Sequence, residues 1–276
     1  MLSKEFEFHA PREVEQALEL LAGSMGEKKV LAGGMSLMPV MNLGLSRPDA
    51  VISLNHVTGL DGVEESDATL RIGAMVRHDR IESDPLIARY CPLLLTAASV
   101  IGDVQVRHRG TIGGSAAHAD PAADYLPVLV SAGASIEIAR SGGRRTIPAR
   151  DFFVDIMRTA LGLDELLVGI EIPKLPDGSG SAYLRLARLE GSFPIVNAAA
   201  VVTNGSATIA IGGATGKPAL VETASSDTPE QIEEAAAEAC HDAFGDLSGT
   251  AAYRTSLARV YARRAFEAAL ERQARN

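Results

Sequence analysis

The order of apolar and polar positions predicts alternating helices and strands. Val14, Ala17, Leu18 and Leu21 recur at i, i+3, i+4 and i+7, predicting a helix over residues 12–22 with Pro11 suited to its first turn. β-prone runs at 28–32 and 50–54 enclose a brief helix from Ser36, as N-cap, to Leu43. Pro39 is tolerated there because it falls in the first turn. A strand at 69–72 precedes helices at 78–84 and 92–102, the second with Leu94, Leu95, Ala98 and Ile101 on one stripe. Asp120 as N-cap and Pro121 at the first helical position open a helix to about Ser131. Strands at 135–139 and 145–147 form a hairpin around Ser141-Gly142-Gly143, and a further strand at 165–172 closes on Pro173.

The stretch 173–180, Pro-Lys-Leu-Pro-Asp-Gly-Ser-Gly, is the candidate boundary. Beyond it lie β-prone runs at 182–189, 195–203 and 207–212, then helices at 229–244 and 251–272. These predict a small C-terminal lobe with a three-stranded sheet and helices, and so an α+β protein.

A chain of 276 residues, 46% hydrophobic and 22% charged, has ample material for a buried core. Its net charge of −9 argues against a nucleic-acid surface. The arginines between Arg254 and Arg275 alternate with Ala, Leu and Val and predict a solvated or partner-facing helix face. Cys91 and Cys240 are the only cysteines, too few for a disulfide framework or for the four thiolates of an iron–sulfur cluster. His108 and His118 lack ligand spacing with other groups, so no metal site is expected. The start, Met1-Leu2-Ser3-Lys4-Glu5-Phe6-Glu7, lacks the apolar run of a signal peptide, and no run approaches a membrane span; the expectation is a cytoplasmic protein.

Two glycine-rich stretches stand out: Leu31-Ala32-Gly33-Gly34-Met35-Ser36-Leu37 and Arg109-Gly110-Thr111-Ile112-Gly113-Gly114-Ser115. Glycine admits positive φ and close backbone approach. Successive backbone N–H groups in such turns form concave anion sites. Ser36 and Ser115 can add a hydroxyl or cap a helix. Together the two loops can grip the two phosphates of one dinucleotide, although a lone Gly-Gly is more often a turn than a phosphate site. Neither is GxGxxG or GxxxxGK[ST]. Gly212-Gly213-Ala214-Thr215-Gly216 reads as a turn.

Ala32-Gly33-Gly34-Met35-Ser36-Leu37 with Thr111-Ile112-Gly113-Gly114-Ser115 resembles the two flavin loops of the medium, FAD-binding subunit of molybdenum hydroxylases, the xanthine dehydrogenase and carbon monoxide dehydrogenase relatives. The flanks agree: Gln105-Val106-Arg107-His108-Arg109-Gly110, Ala119-Asp120-Pro121-Ala122-Ala123-Asp124, Glu165-Leu166-Leu167 through Ile172-Pro173, and Ala252-Tyr253-Arg254 leading into Arg263-Arg264-Ala265. The resemblance covers nearly the whole chain. It implies a two-part FAD-binding domain of the vanillyl-alcohol-oxidase (PCMH) type at 1–176, with halves at about 1–55 and 56–176. A C-terminal domain of the carbon monoxide dehydrogenase flavoprotein type would occupy 177–276. It also implies partners: a small subunit with two [2Fe–2S] clusters and a large subunit with the molybdenum cofactor, in a dimer of heterotrimers. Electrons would reach FAD from the clusters and leave to an external acceptor.

Carried over residue by residue, the FAD site would comprise Leu31, Ala32, Gly33, Gly34, Met35, Ser36, Leu37, Ile101, Gly110, Thr111, Gly113, Gly114, Ser115, His118, Asp124, Leu166, Arg185 and Phe193. Asp124 would accept a hydrogen bond from the nucleotide, or be an exposed charge near a cap. Arg185 stands where relatives often carry Lys, and its charge would favour the anionic reduced flavin. Ile101 and Leu166 would pack on the cofactor, or simply on the core. Phe193, in Gly191-Ser192-Phe193-Pro194, departs from a Gly-Asp-Tyr-Ala pattern; it can stack on a ring face or be buried core. Arg107 and Arg109 can neutralise phosphate or, as favoured, bridge to acidic surface or a partner. No acid, base or nucleophile for bond chemistry is visible, so no catalytic residue is expected. Two rival readings stand: a stand-alone FAD oxidoreductase, and a flavin-free scaffold.

Overall fold

The computed structural model describes residues 5–275, so the first four residues of the opening stretch lie outside it. The first layer is a three-stranded parallel sheet of Glu7–His9, Ala50–Ser53 and Lys28–Leu31, with Ala50–Ser53 in the middle. All of Ala50–Ser53 is buried, because helix Val14–Ala22 lays Val14, Ala17, Leu18 and Leu21 into the core it shares. Loop 32–36 and the short helix Leu37–Asn42 follow directly, with Pro39 in its first turn as expected.

The second layer is a five-stranded antiparallel sheet, ordered Val63–Glu65, Thr69–Gly73, Leu166–Pro173, Ser135–Arg140, Gly143–Pro148. Short helices cover it: His78–Ser83, Pro85–Tyr90, Pro92–Ser99, Val104–Arg109, Ile112–His118 and Tyr125–Ser131. Three of them, Pro85–Tyr90, Val104–Arg109 and Ile112–His118, were not foreseen. Asp84 accepts from the backbone N–H of Leu86 and Ile87 and starts Pro85–Tyr90. Asp103 accepts from Val106 N–H at 2.8 Å and starts Val104–Arg109. The expected helix at 120–131 begins later, at Tyr125: Asp120 accepts from Ala122 N–H at 2.9 Å in a local turn, and Asp124 holds the N-cap position.

The C-terminal sheet has four strands, not three. Ala219–Ala224 extends Gly180–Ala187, Pro194–Thr203 and Ser206–Gly212 as an edge. It carries little apolar signal because, at the edge, only Ala219 and Val221 are buried. Helices Pro229–Ala239 and Ala251–Gln273 cover one face. The first stops well short of Phe244, at Cys240, and residues 213–217 turn out of the strand as expected, with Gly213 at φ +79°. Strand Pro194–Thr203 is buried on both faces. Ala198, Ala200 and Val202 face the helices, while Ala199 and Val201 join the core of the five-stranded layer. Among the described residues no helix is long and apolar enough to cross a membrane.

Candidate functional site

The two glycine loops touch. A Cβ on Gly33 would lie 2.2 Å from the Arg109 carbonyl oxygen and 2.7 Å from Gly110 Cα, so only glycine lets the loops meet. Gly34 has φ +80°, the left-handed region that turns the chain into Leu37–Asn42. Side chains lock the junction. Arg77 donates to the Arg109 carbonyl and, at 2.8 Å, to Asn55 Oδ1; Asn55 in turn donates to the Ala32 carbonyl at 3.3 Å.

The loops differ in what they leave free. Among the described residues the backbone N–H groups of Gly33, Gly34, Met35 and Ser36 meet no protein acceptor. In the second loop most donors are used internally: Gly110 N–H to Val106, Ile112 N–H to Val76, Gly113 N–H to Ala74, and Gly114 N–H to Thr111 Oγ1. Only the first loop, and not both as expected, therefore offers a row of free amides. The second supplies shape, with Thr111 N–H left over. The capping expectation changes too: Ser36 makes no cap bond, and Thr111, not Ser115, caps Ile112–His118. The Ser36 and Ser115 hydroxyls are left without a protein partner among the described residues, and both residues face a cleft.

That cleft, about 920 Å³, runs past both loops. Of the residues expected at a cofactor, all line it except Leu31, which ends a strand, and Arg185. Lys29 and Arg47 also line it, as do Ile101, Leu166 and Phe193. Phe193 is 61% exposed, so it is cleft wall and not core. Arg185 is held away from the lining: it donates to Asp124 Oδ1 at 3.0 Å, to the Val100 carbonyl at 2.8 Å and to the Ser192 carbonyl. Its charge is therefore shared with a carboxylate. Asp124, 5% exposed, also accepts from the Tyr183 hydroxyl, which itself accepts from Asn197 Nδ2 at 3.2 Å. Burial pushes the Asp124 carboxyl up to about 6, against the pull of Arg185 and Tyr183.

Arg107 pairs with Glu82 at 2.9 Å and donates to the Ile101 and Gly102 carbonyls, so it braces the loop as an internal ion pair; Arg109 is exposed. Sequence reasoning missed Asn55, Arg77 and His78. Lone polar residues at strand–helix junctions carry no spacing signal, and only the adjacency of Arg77-His78 to a helix start marks them.

The fit to FAD rests on these features. Four unpaired amides meet an anion's need for donors. The Gly33 contact forms a cradle that a Cβ would fill. The cleft has the volume for a long ligand and an aromatic wall at Phe193.

Comparison with known proteins agrees. Residues 4–175 match the family model described as FAD binding domain in molybdopterin dehydrogenase. The chain is 34% identical to the carbon monoxide dehydrogenase medium chain of Hydrogenophaga pseudoflava over 99% of each. It is 37% identical to the nicotine 6-hydroxylase medium subunit of Paenarthrobacter nicotinovorans, over 93% of this chain and 94% of that one. A crystal structure of Cu,Mo-CO dehydrogenase superposes with a TM-score of 0.91 at 32% identity, covering 100% of both chains. Quinoline 2-oxidoreductase from Pseudomonas putida 86 superposes at 0.86 with 30% identity, over 97% of each. A cleft built from paired glycine loops and a match along the full length lead to one conclusion: this chain belongs to the FAD-binding medium-subunit family of molybdenum hydroxylases.

Proposed function

We propose that this chain receives electrons from [2Fe–2S] clusters on a small partner subunit and delivers them from FAD to an external acceptor, while a large subunit with the molybdenum cofactor oxidises the substrate. The assembly proposed is a dimer of heterotrimers. The observation that carries the reading is the junction of the glycine loops, with its row of unpaired amides facing the cleft. Cys91 and Cys240 lie in different cores, which fits clusters held by a partner.

Bound FAD supplies an electron carrier, and the residues of this chain bind and orient it. The amides of Gly33, Gly34, Met35 and Ser36 would donate to pyrophosphate oxygens, with Thr111 N–H and the Ser36 and Ser115 hydroxyls beside them. Asp124 would accept from a hydroxyl of the nucleotide. Ile101, Leu166 and Phe193 would keep water from the ring.

The test is visible absorption of the purified complex, with the released cofactor identified by mass, for the natural protein and Gly33→Ala. We expect about one FAD per chain, and at least tenfold weaker retention in the variant because its methyl forces the loops apart. Absence of flavin after FAD is added would overturn the reading in favour of a scaffold. Substrate-dependent flavin reduction by this chain alone would favour a stand-alone oxidoreductase.

A further inference from the structure

His78 opens the helix His78–Ser83 directly beneath the second glycine loop. A Cβ on Gly110 would fall 2.4 Å from His78 Nε2, so Gly110 is glycine because the imidazole lies against it. The His78 backbone N–H donates to the Gly110 carbonyl at 3.2 Å, fixing ring and loop together. The residue is 5% exposed and lines the cleft.

The tautomer follows from the other side of the ring. His78 Nδ1 lies 3.0 Å from the Tyr125 hydroxyl, with the rings edge to face at 5.2 Å. Tyr125 is fully buried, and this nitrogen is its hydroxyl's one partner among the described residues. Were Nδ1 the donor, the phenol proton would be buried with no acceptor, the costlier arrangement. Tyr125 therefore donates to Nδ1, and the ring proton sits on Nε2. Among the described residues Nε2–H has no protein acceptor, and His78 is a lining residue of the cleft.

We infer that His78 is a further cofactor-binding residue, whose Nε2–H donates to an oxygen of the dinucleotide where it passes the second glycine loop, and that Tyr125 is a positioning residue that sets this tautomer. The inference rests on the FAD reading above. It accounts for a loop whose own amides are nearly all used inside the protein: a side chain from the layer below supplies the donor that the loop does not.

The donor is a neutral ring. Burial lowers the imidazole to about 4, with Arg77 and, from helix Val104–Arg109, Arg107 acting the same way; Asp79 opposes them. Tyr125, from its own helix, faces the ring as an uncharged phenol. The bond therefore persists from pH 5 to pH 8 with no titration of its own.

The test uses the full chain stripped of FAD, labelled with 15N-histidine. The tautomer is read by nitrogen chemical shifts and FAD affinity by titration. For the natural protein we expect the Nε2–H tautomer, with the Nε2 resonance moving on FAD addition. His78→Leu should weaken FAD binding five- to tenfold, and His78→Gln, which returns an N–H donor, should recover much of it. Tyr125→Phe keeps the ring packing; it should release the tautomer preference and weaken binding severalfold. A natural protein with the proton on Nδ1 overturns the inference, even if the variants fail to fold. So does His78→Leu binding FAD as tightly as a natural protein that itself binds FAD. A natural protein that takes up no FAD overturns the FAD reading, and this inference with it.

Discussion

Asp124 shows how one carboxylate couples stability to pH. Burial raises its pKa from the ordinary carboxylate range to about 6 although Arg185 lies 3.0 Å away, because removing the charge from water outweighs the partner's attraction. The sign follows from proton counting. Between about pH 4 and pH 6 the folded chain holds a proton that the unfolded chain has released, so this site's contribution to stability falls as pH rises through that window. The two-unit shift corresponds to a loss on the order of 3 kcal/mol. Glu65, Glu137, Glu165 and Asp246 are shifted down and act in the opposite sense, so the raw pH profile mixes both. The clean quantity is the difference from Asp124→Asn, which cannot titrate. Urea unfolding at pH 4 and pH 7 should show the variant gaining on the natural protein by up to that amount as pH rises. A pH-independent difference would mean that Asp124 takes up its proton equally in the folded and unfolded chain and that its pKa is not raised.

At the scale of elements, the long helix Ala251–Gln273 keeps the expected solvated face at Arg259, Arg264 and Arg272, all exposed, and departs from it at Arg254. Arginines alternating with small residues predict a solvated face, yet Arg254 is 2% exposed. It donates to the Ile195 carbonyl at 2.6 Å, to the Gly213 carbonyl, and to Asp246 Oδ1 at 2.6 Å, with the Phe244 ring 4.8 Å below its guanidinium. One side chain thus ties the helix to two strand ends and a loop. Arg254→Met leaves those acceptors unpaired and should cost about 3–5 kcal/mol. Arg254→Lys, with one ammonium for three directions, should lose less. Urea midpoints at unchanged m-value measure both, and because Arg254 does not line the cleft, FAD affinity should hold. The same contrast explains what the sequence makes legible. Gly33 and Gly113 are visible because a close backbone contact restricts the residue type itself, and Gly34 because its φ of +80° does. The apolar stripe Val14, Ala17, Leu18, Leu21 is visible because burial repeats with the helix. Arg254, His78 and Asn55 each act through partners distant in the chain, and no local pattern encodes that. Helix Val104–Arg109 was hidden for another reason: its β-prone valines are overridden by the Asp103 cap. Edge strand Ala219–Ala224 buries too little to leave a pattern.

At the scale of the whole molecule, one hydrophobic core spans the expected boundary at 173–180. Tyr183, Ala199, Val201 and Ala210, all from the C-terminal sheet, belong to the same core as Leu94, Tyr125 and Ile136. Arg185 crosses between the parts to Asp124 and to the Val100 carbonyl, and Asn197 donates to the Ala123 carbonyl at 3.4 Å. Removing residues 177–276 would therefore strip apolar surface from the remainder and leave buried polar groups unpaired. Each part should lack a stable state without the other, so unfolding should be a single transition. The cleft makes the same demand, since Gly191, Ser192 and Phe193 line it from one part and both glycine loops from the other. A ligand held there stabilises the joined state as a whole. FAD at about 100 times its Kd should raise the free energy of that one transition by about 2.7 kcal/mol. Far-UV circular dichroism, tyrosine emission and flavin emission, followed across one urea titration, should superimpose and shift together when FAD is added. Two separated transitions, with only the earlier or the later moved by FAD, would show that the lobes are independent and that the shared core contributes little.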